Sequence, residues 1–283
     1  MLVDYERPVV GDVDAGEGVL LVGEVNVDAR EHMLEVQSGT RLHFVVLRGE
    51  GPVVLLEAGG GEDLTQWGRI PDAIRARSGA TVISYSRAGF GRSDLPDTAY
   101  DMEQEVNWLM SGLRRLGLDH DLILVGHSYG GWLIRLIAHR HPEVVNGLVF
   151  VDPFSHELVE RVGIETIDQM SNAAESEAIP EAERTKAQRA DIRMMHGGVA
   201  PKARLMAGTV FPQAVPYCVI TCGLTDWLGP AGPVWRSVHE ELAGYTPYGK
   251  LLVAEGARHM IPAEAPDVVV DAVAAILEEA QRS

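Results

Sequence analysis

The sequence predicts an α/β protein whose mostly parallel sheet is covered by helices on both faces. Short apolar, β-branched runs recur along the chain, such as residues 52–57 and 217–222, and amphipathic segments of helical period separate them. One of these runs, Leu122-Ile-Leu-Val, breaks off into Gly126-His127-Ser128-Tyr129-Gly130-Gly131. That G-x-S-x-G string marks a strand running into a turn tight enough to hold a serine hydroxyl outward, ahead of a helix whose free N–H groups face the same point.

Residues 1–31 are acidic, rich in Gly and Val, and without a clear period, so they are expected to form an N-terminal extension to a domain spanning 32–283. Residues 32–36 and 41–47, joined by a Ser-Gly-Thr turn, predict a hairpin, and 52–57 a buried strand. An amphipathic segment at 64–78 precedes a strand at 80–85. Val106, Leu109, Leu113 and Leu116 keep one face of a helix over 101–116 turned inward. After the G-x-S-x-G turn and its helix, residues 145–151 form another strand, closed by Asp152-Pro153. The stretch 155–210 then turns helical in composition, rich in Glu, Ala and Met, which predicts a lid inserted between strands. Its Met170, Met194, Met195 and Met206 suit an adaptable apolar wall. Strands return at 217–222 and 250–255, and a last helix starting near Pro266 carries Val269, Val273 and Ile276 on one face.

At 283 residues and 46% hydrophobic content the chain can bury one large core. Its formal charge, 24 minus 41 or −17, opposes binding to phosphate backbones and anionic lipid surfaces, so neither nucleic acid nor membrane is expected as a partner. No apolar stretch approaches the ~18 residues of a membrane span, and no basic segment followed by an apolar run opens the sequence. A soluble, cytoplasmic protein acting on a small-molecule substrate is expected. Cys218 and Cys222 share one predicted strand, ~13 Å apart along it, too far for a disulfide, and read as buried thiols. The ten histidines form no metal-ligand spacing, and the Gly59-Gly60-Gly61 loop lacks the spacing of a phosphate cradle, so no metal and no cofactor is expected.

Ser128 needs a general base within reach and an acid to orient that base. His259 lies just beyond the last predicted strand, at the same sheet edge as Ser128. Two aspartates stand at carboxyl ends of strands in the chain order serine, acid, histidine: Asp152 after 145–151 and Asp226 after 217–222. For an oxyanion, Tyr129 N–H is one candidate donor, and Gly60, in the glycine loop after 52–57, is the other.

Together these residues resemble the α/β-hydrolase superfamily, from about residue 32 to the C-terminus. Gly126–Gly131 is similar to its nucleophile elbow, residues 85–94 (Tyr-Ser-Arg-Ala-Gly-Phe-Gly-Arg-Ser-Asp) to its turn after the fourth strand, and His259 to its catalytic histidine. The resemblance implies an eight-stranded sheet, and places the acid after the seventh strand, at Asp226, although some branches place it after the sixth, where Asp152 stands. Ala58-Gly59 departs from the family's frequent His-Gly, and Ser86 from its usual aspartate. Serine at 128 separates the chain from those epoxide hydrolases and dehalogenases of the superfamily that use an aspartate nucleophile. The expected activity is that of a serine hydrolase, carboxylesterase-like or lactonase-like, cleaving an ester or related acyl bond of a small, largely apolar substrate. The alternative is a ligand-binding protein or a specialised lyase or acyl transferase on the same scaffold, which gains weight only if the three residues fail to assemble.

Overall fold

The computed structural model describes residues 29–165 and 173–282. Most of the expected N-terminal extension and Met170 lie outside the described residues. Among the described residues eight strands form one sheet: β1 (Ala29–Gln37), β2 (Thr40–Leu47), β3 (Val53–Glu57), β4 (Thr81–Ser86), β5 (Leu122–His127), β6 (Val145–Val151), β7 (Tyr217–Cys222) and β8 (Gly249–Ala254), in the order β1-β2-β4-β3-β5-β6-β7-β8. Only β1–β2 and β2–β4 pair antiparallel. Within the described residues, β1 pairs with β2 from Ala29, opposite Leu47.

The central strands are largely apolar because both their faces are covered. Every residue of β3, β4, β5 and β7 is buried. Along β6 the alternation is legible in single contacts: a Cβ on Gly147 would meet Ile276 of the helix Pro266–Ala280, whereas Phe150, on the opposite face, lies against Gly131 of the helix Tyr129–Arg140. The helix Met102–Leu116 is started by Asp101, whose side chain accepts from Glu103 N, and ended by Gly117 at φ 67°.

Between β6 and β7 the described residues are mainly helical, with Lys186–Met195 opened by a Thr185/Gln188 capping box. This helix crosses the turn after β4. Lys186 Nζ donates to Ser93 O at 2.9 Å, and Arg193 reaches Thr98 O at 2.7 Å and the buried Glu105 at 3.3 Å. Among the described residues no helix is long and apolar enough to cross a membrane. Cys218 and Cys222 are free and buried.

Candidate active site

The elbow residue Ser128 sits at φ 52°, ψ −119°, a region side chains rarely enter. Glycines at 126 and 130 are what permit it: a Cβ on Gly126 would stand 2.6 Å from Gly130 O, and one on Gly130 2.6 Å from Ala58 O. The turn is tied to β6 by Ser128 N donating to Val151 O at 3.0 Å and Phe154 N to Ser128 O at 3.1 Å. Three non-glycine residues have positive φ among the described residues, and two of them are Ser128 and Asp152. Strain of this kind persists only where surrounding structure holds it, and here it falls on two residues of one cluster.

The Ser128 hydroxyl donates to His259 Nε2 at 2.9 Å, and His259 Nδ1–H donates to Asp152 Oδ2 at 2.7 Å. The other oxygen, Asp152 Oδ1, accepts from Cys222 N and Trp235 Nε1, both at 2.9 Å. Burial would raise the Asp152 carboxyl, but the His259 hydrogen bond and the flanking histidines and Trp235 N–H outweigh it and hold the group down at about 2. Asp152 is therefore a carboxylate at neutral pH, with three N–H groups on two oxygens.

The aspartate favoured by the superfamily's usual arrangement is elsewhere. Asp226 is exposed and grips Arg258 through both oxygens at 3.1 and 2.9 Å, which lowers its carboxyl pKa. It starts the short helical segment Asp226–Ala231, so the loop after β7 delivers to His259 not its aspartate but the neighbouring Trp227, whose ring centre lies 5.1 Å from the imidazole. Trp235 at 5.5 Å and His127 at 4.8 Å complete an aromatic surround for His259.

Several contributors carried no sequence signal. Gly59 N donates to Gln66 Oε1 at 2.8 Å, Gln66 Nε2 donates to His127 Nδ1 at 3.0 Å, and His127 Nε2–H donates to His259 O at 2.8 Å. One chain of hydrogen bonds thus joins the glycine loop, the elbow and the loop bearing His259. Burial, reinforced by the nearby His259, lowers His127 to about 3, so its ring is neutral as that pattern requires. His239 supports the other side: it lies between Thr221 Oγ1 and Pro153 O, both at 2.9 Å, beside Asp152.

The glycine loop faces the elbow. A Cβ on Gly60 would lie 3.6 Å from Tyr129 Cβ and 3.5 Å from Met194 Cε, so Gly60 stands between the first residue of the elbow helix and the helix Lys186–Met195. Tyr129, as that first residue, has no acceptor one turn back for its own N–H.

A family model described as alpha/beta hydrolase fold matches residues 51–184, a stretch that includes this elbow. Solved structures agree over nearly the whole chain. The epoxide hydrolase CorEH superposes with a TM-score of 0.62 at 18% identity, covering 90% of this chain and 99% of that one. The chain has the α/β-hydrolase fold. A thermophilic esterase from Thermogutta terrifontis shares the α/β-hydrolase fold with a TM-score of 0.59 at 21% identity, over 89% of this chain and 99% of that one. Among curated relatives, a proline iminopeptidase from Lactobacillus delbrueckii subsp. bulgaricus is 30% identical over 139 residues, 47% of this chain and 46% of that enzyme. The chain spans 16% to 47% of the length of the curated relatives it matches.

Proposed function

We propose that this protein is a serine hydrolase that cleaves an ester or related acyl bond of a small, largely apolar substrate through an acyl-enzyme. The continuous chain Ser128 Oγ, His259 Nε2, His259 Nδ1, Asp152 Oδ2, with links of 2.9 and 2.7 Å, carries this reading. It favours a nucleophile over a passive ligand pocket, for which no such assembly is needed. Ser128 Oγ attacks the acyl carbon while its proton passes to His259 Nε2, and Asp152 stabilises the imidazolium and keeps Nδ1 protonated. Gly60 and Tyr129 N–H groups receive the oxyanion. His259 then returns the proton to the leaving oxygen, and a water activated by the same nitrogen releases the acid and frees Ser128.

The helical stretch between β6 and β7 serves as the lid, and its Met194, beside Gly60, supplies apolar wall. The similarity to an esterase fold and to a proline iminopeptidase suits acyl transfer to water, and the aspartate of the triad in this reading is Asp152. Ser128→Ala is expected to abolish turnover of a p-nitrophenyl ester and labelling by a fluorophosphonate, both measured against wild type. Full turnover in that variant refutes the proposal.

A further inference from the structure

The loop that carries Gly60 rests on a buried ion pair that the reaction scheme above does not use. Glu57, the last residue of β3, is wholly buried, and so is Arg87, just past the end of β4. Their contacts are unlike those of a simple charge pair. Only Oε1 of Glu57 goes to the arginine, at 2.6 Å from Nη1, while Oε2 accepts the Tyr85 hydroxyl. Nη1 also donates to Ala58 O at 2.6 Å, and Nη2 donates to Gly59 O. Nε has no partner among the described residues. A guanidinium placed to neutralise Glu57 alone would take both carboxylate oxygens in a fork. This one turns its two terminal nitrogens to the carbonyls of the glycine loop instead.

We propose that Arg87, held by Glu57, is a positioning residue for the oxyanion hole, acting through the peptide between Gly59 and Gly60. The inference rests on the serine-hydrolase reading. In a trans peptide the C=O and N–H point in opposite directions. Fixing Gly59 O on Arg87 therefore aims Gly60 N–H away from the guanidinium. Gly59 N–H is already taken by Gln66, which fixes the preceding peptide and leaves the next one to present the donor. A cation on the carbonyl oxygen also draws electron density from the amide, which makes its N–H a stronger donor to a developing oxyanion. The same guanidinium lies 5.8 Å from the ring centre of Tyr129, the residue whose N–H is the second donor, so one cation braces both halves of the hole. Burial works against its charge and Glu57 more than restores it, so the cation persists across the working pH range.

The test compares wild type with Arg87→Lys, which keeps a cation for Glu57 but has no planar fork to span two carbonyls, and with Glu57→Gln/Arg87→Met, which removes both charges at similar volume. Rates are taken per active site, titrated to saturation with a fluorophosphonate, so that unfolded protein does not enter. Both variants are expected to lose about 10- to 100-fold in kcat with KM changed little. The inhibition constant of an alkyl trifluoromethyl ketone, whose serine adduct carries the oxyanion, should rise by the same factor, while that of the corresponding alcohol stays within about twofold. A purely structural role lowers the titre and the melting temperature but not kcat per titrated site. Retention of kcat and ketone affinity within about twofold in either variant overturns the proposal. Failure of wild type itself to take the label would instead refute the serine-hydrolase reading.

Discussion

Replacing Asp152 by asparagine should do more harm than the loss of one charge, and the reason lies in the donors around it. Asp152 Oδ1 is held by Cys222 N and Trp235 Nε1, neither of which can become an acceptor. In Asp152→Asn the amide oxygen must therefore occupy that position, which turns the NH2 group toward His259. Nδ1 is then forced to accept, the ring proton moves to Nε2, and Nε2–H faces Ser128 where a base is needed. Wrong-tautomer triads of this kind lose on the order of 10³- to 10⁴-fold in kcat, about 4 to 5.5 kcal/mol of transition-state stabilisation. Fold and substrate binding should survive, because shape and two of the three hydrogen bonds are kept. Initial rates on a p-nitrophenyl ester, with circular dichroism for the fold, measure it. Asp226→Asn is the control: its partner is the exposed Arg258, so kcat should stay within about twofold. If Asp152→Asn retained activity within about tenfold of wild type, or Asp226→Asn fell as far, the tautomer argument would be wrong.

Two further outcomes follow from the elbow. Gly130→Ala drives a methyl group to 2.6 Å from Ala58 O and closer still to Glu57 O, both backbone, and should destabilise by about 3 kcal/mol, lowering Tm by roughly 6 °C or more in a thermal melt. The buried His127, lowered to about 3, binds fewer protons than in the unfolded chain at pH between that value and 6.5. Its folded-state contribution is thus whole above 6.5 and shrinks as pH falls, by on the order of 2 kcal/mol at about pH 4.5. His127→Gln should flatten that part of the urea-unfolding stability profile between pH 7 and 4.5, and an unchanged slope would remove His127 as its source.

The strands were legible because burial on both faces leaves a plain mark in composition: the runs at 52–57, 217–222 and 145–151 lie within a residue or so of the observed elements. The pairing of Ser128 with His259 was legible too, since a G-x-S-x-G string after a strand and a histidine after the last one are local features, and the two side chains meet at 2.9 Å. The aspartate was not. Asp152 and Asp226 both follow strands, and what separates them is whether the chain after the strand turns inward. Asp152, at φ 44°, is drawn in by Cys222 N and Trp235 Nε1, from positions 70 and 83 residues away. Asp226 is drawn out by Arg258. Those partners are set by packing, not by neighbouring sequence. For the same reason Glu57, Arg87, Gln66 and His127 gave no warning: Glu57 meets the Arg87 side chain, Arg87 the carbonyls of Ala58 and Gly59, Gln66 the N–H of Gly59, and His127 the carbonyl of His259. The places of Trp235 and His239 beside Asp152, on the helix Gly232–Ala243, are likewise set by packing.

The indoles packed around His259 give the imidazole an optical reporter. An excited indole readily transfers an electron to a nearby cation, and a protonated imidazole accepts one far better than a neutral ring does. Trp227 and Trp235, with ring centres 5.1 and 5.5 Å from that of His259, are placed to dim whenever His259 takes up a proton. Emission from the unlabelled protein can thus respond to that charge in real time, most directly through Trp227, since Trp235 also lies 5.2 Å from the buried His239, with Trp67, Trp108 and Trp132 as background.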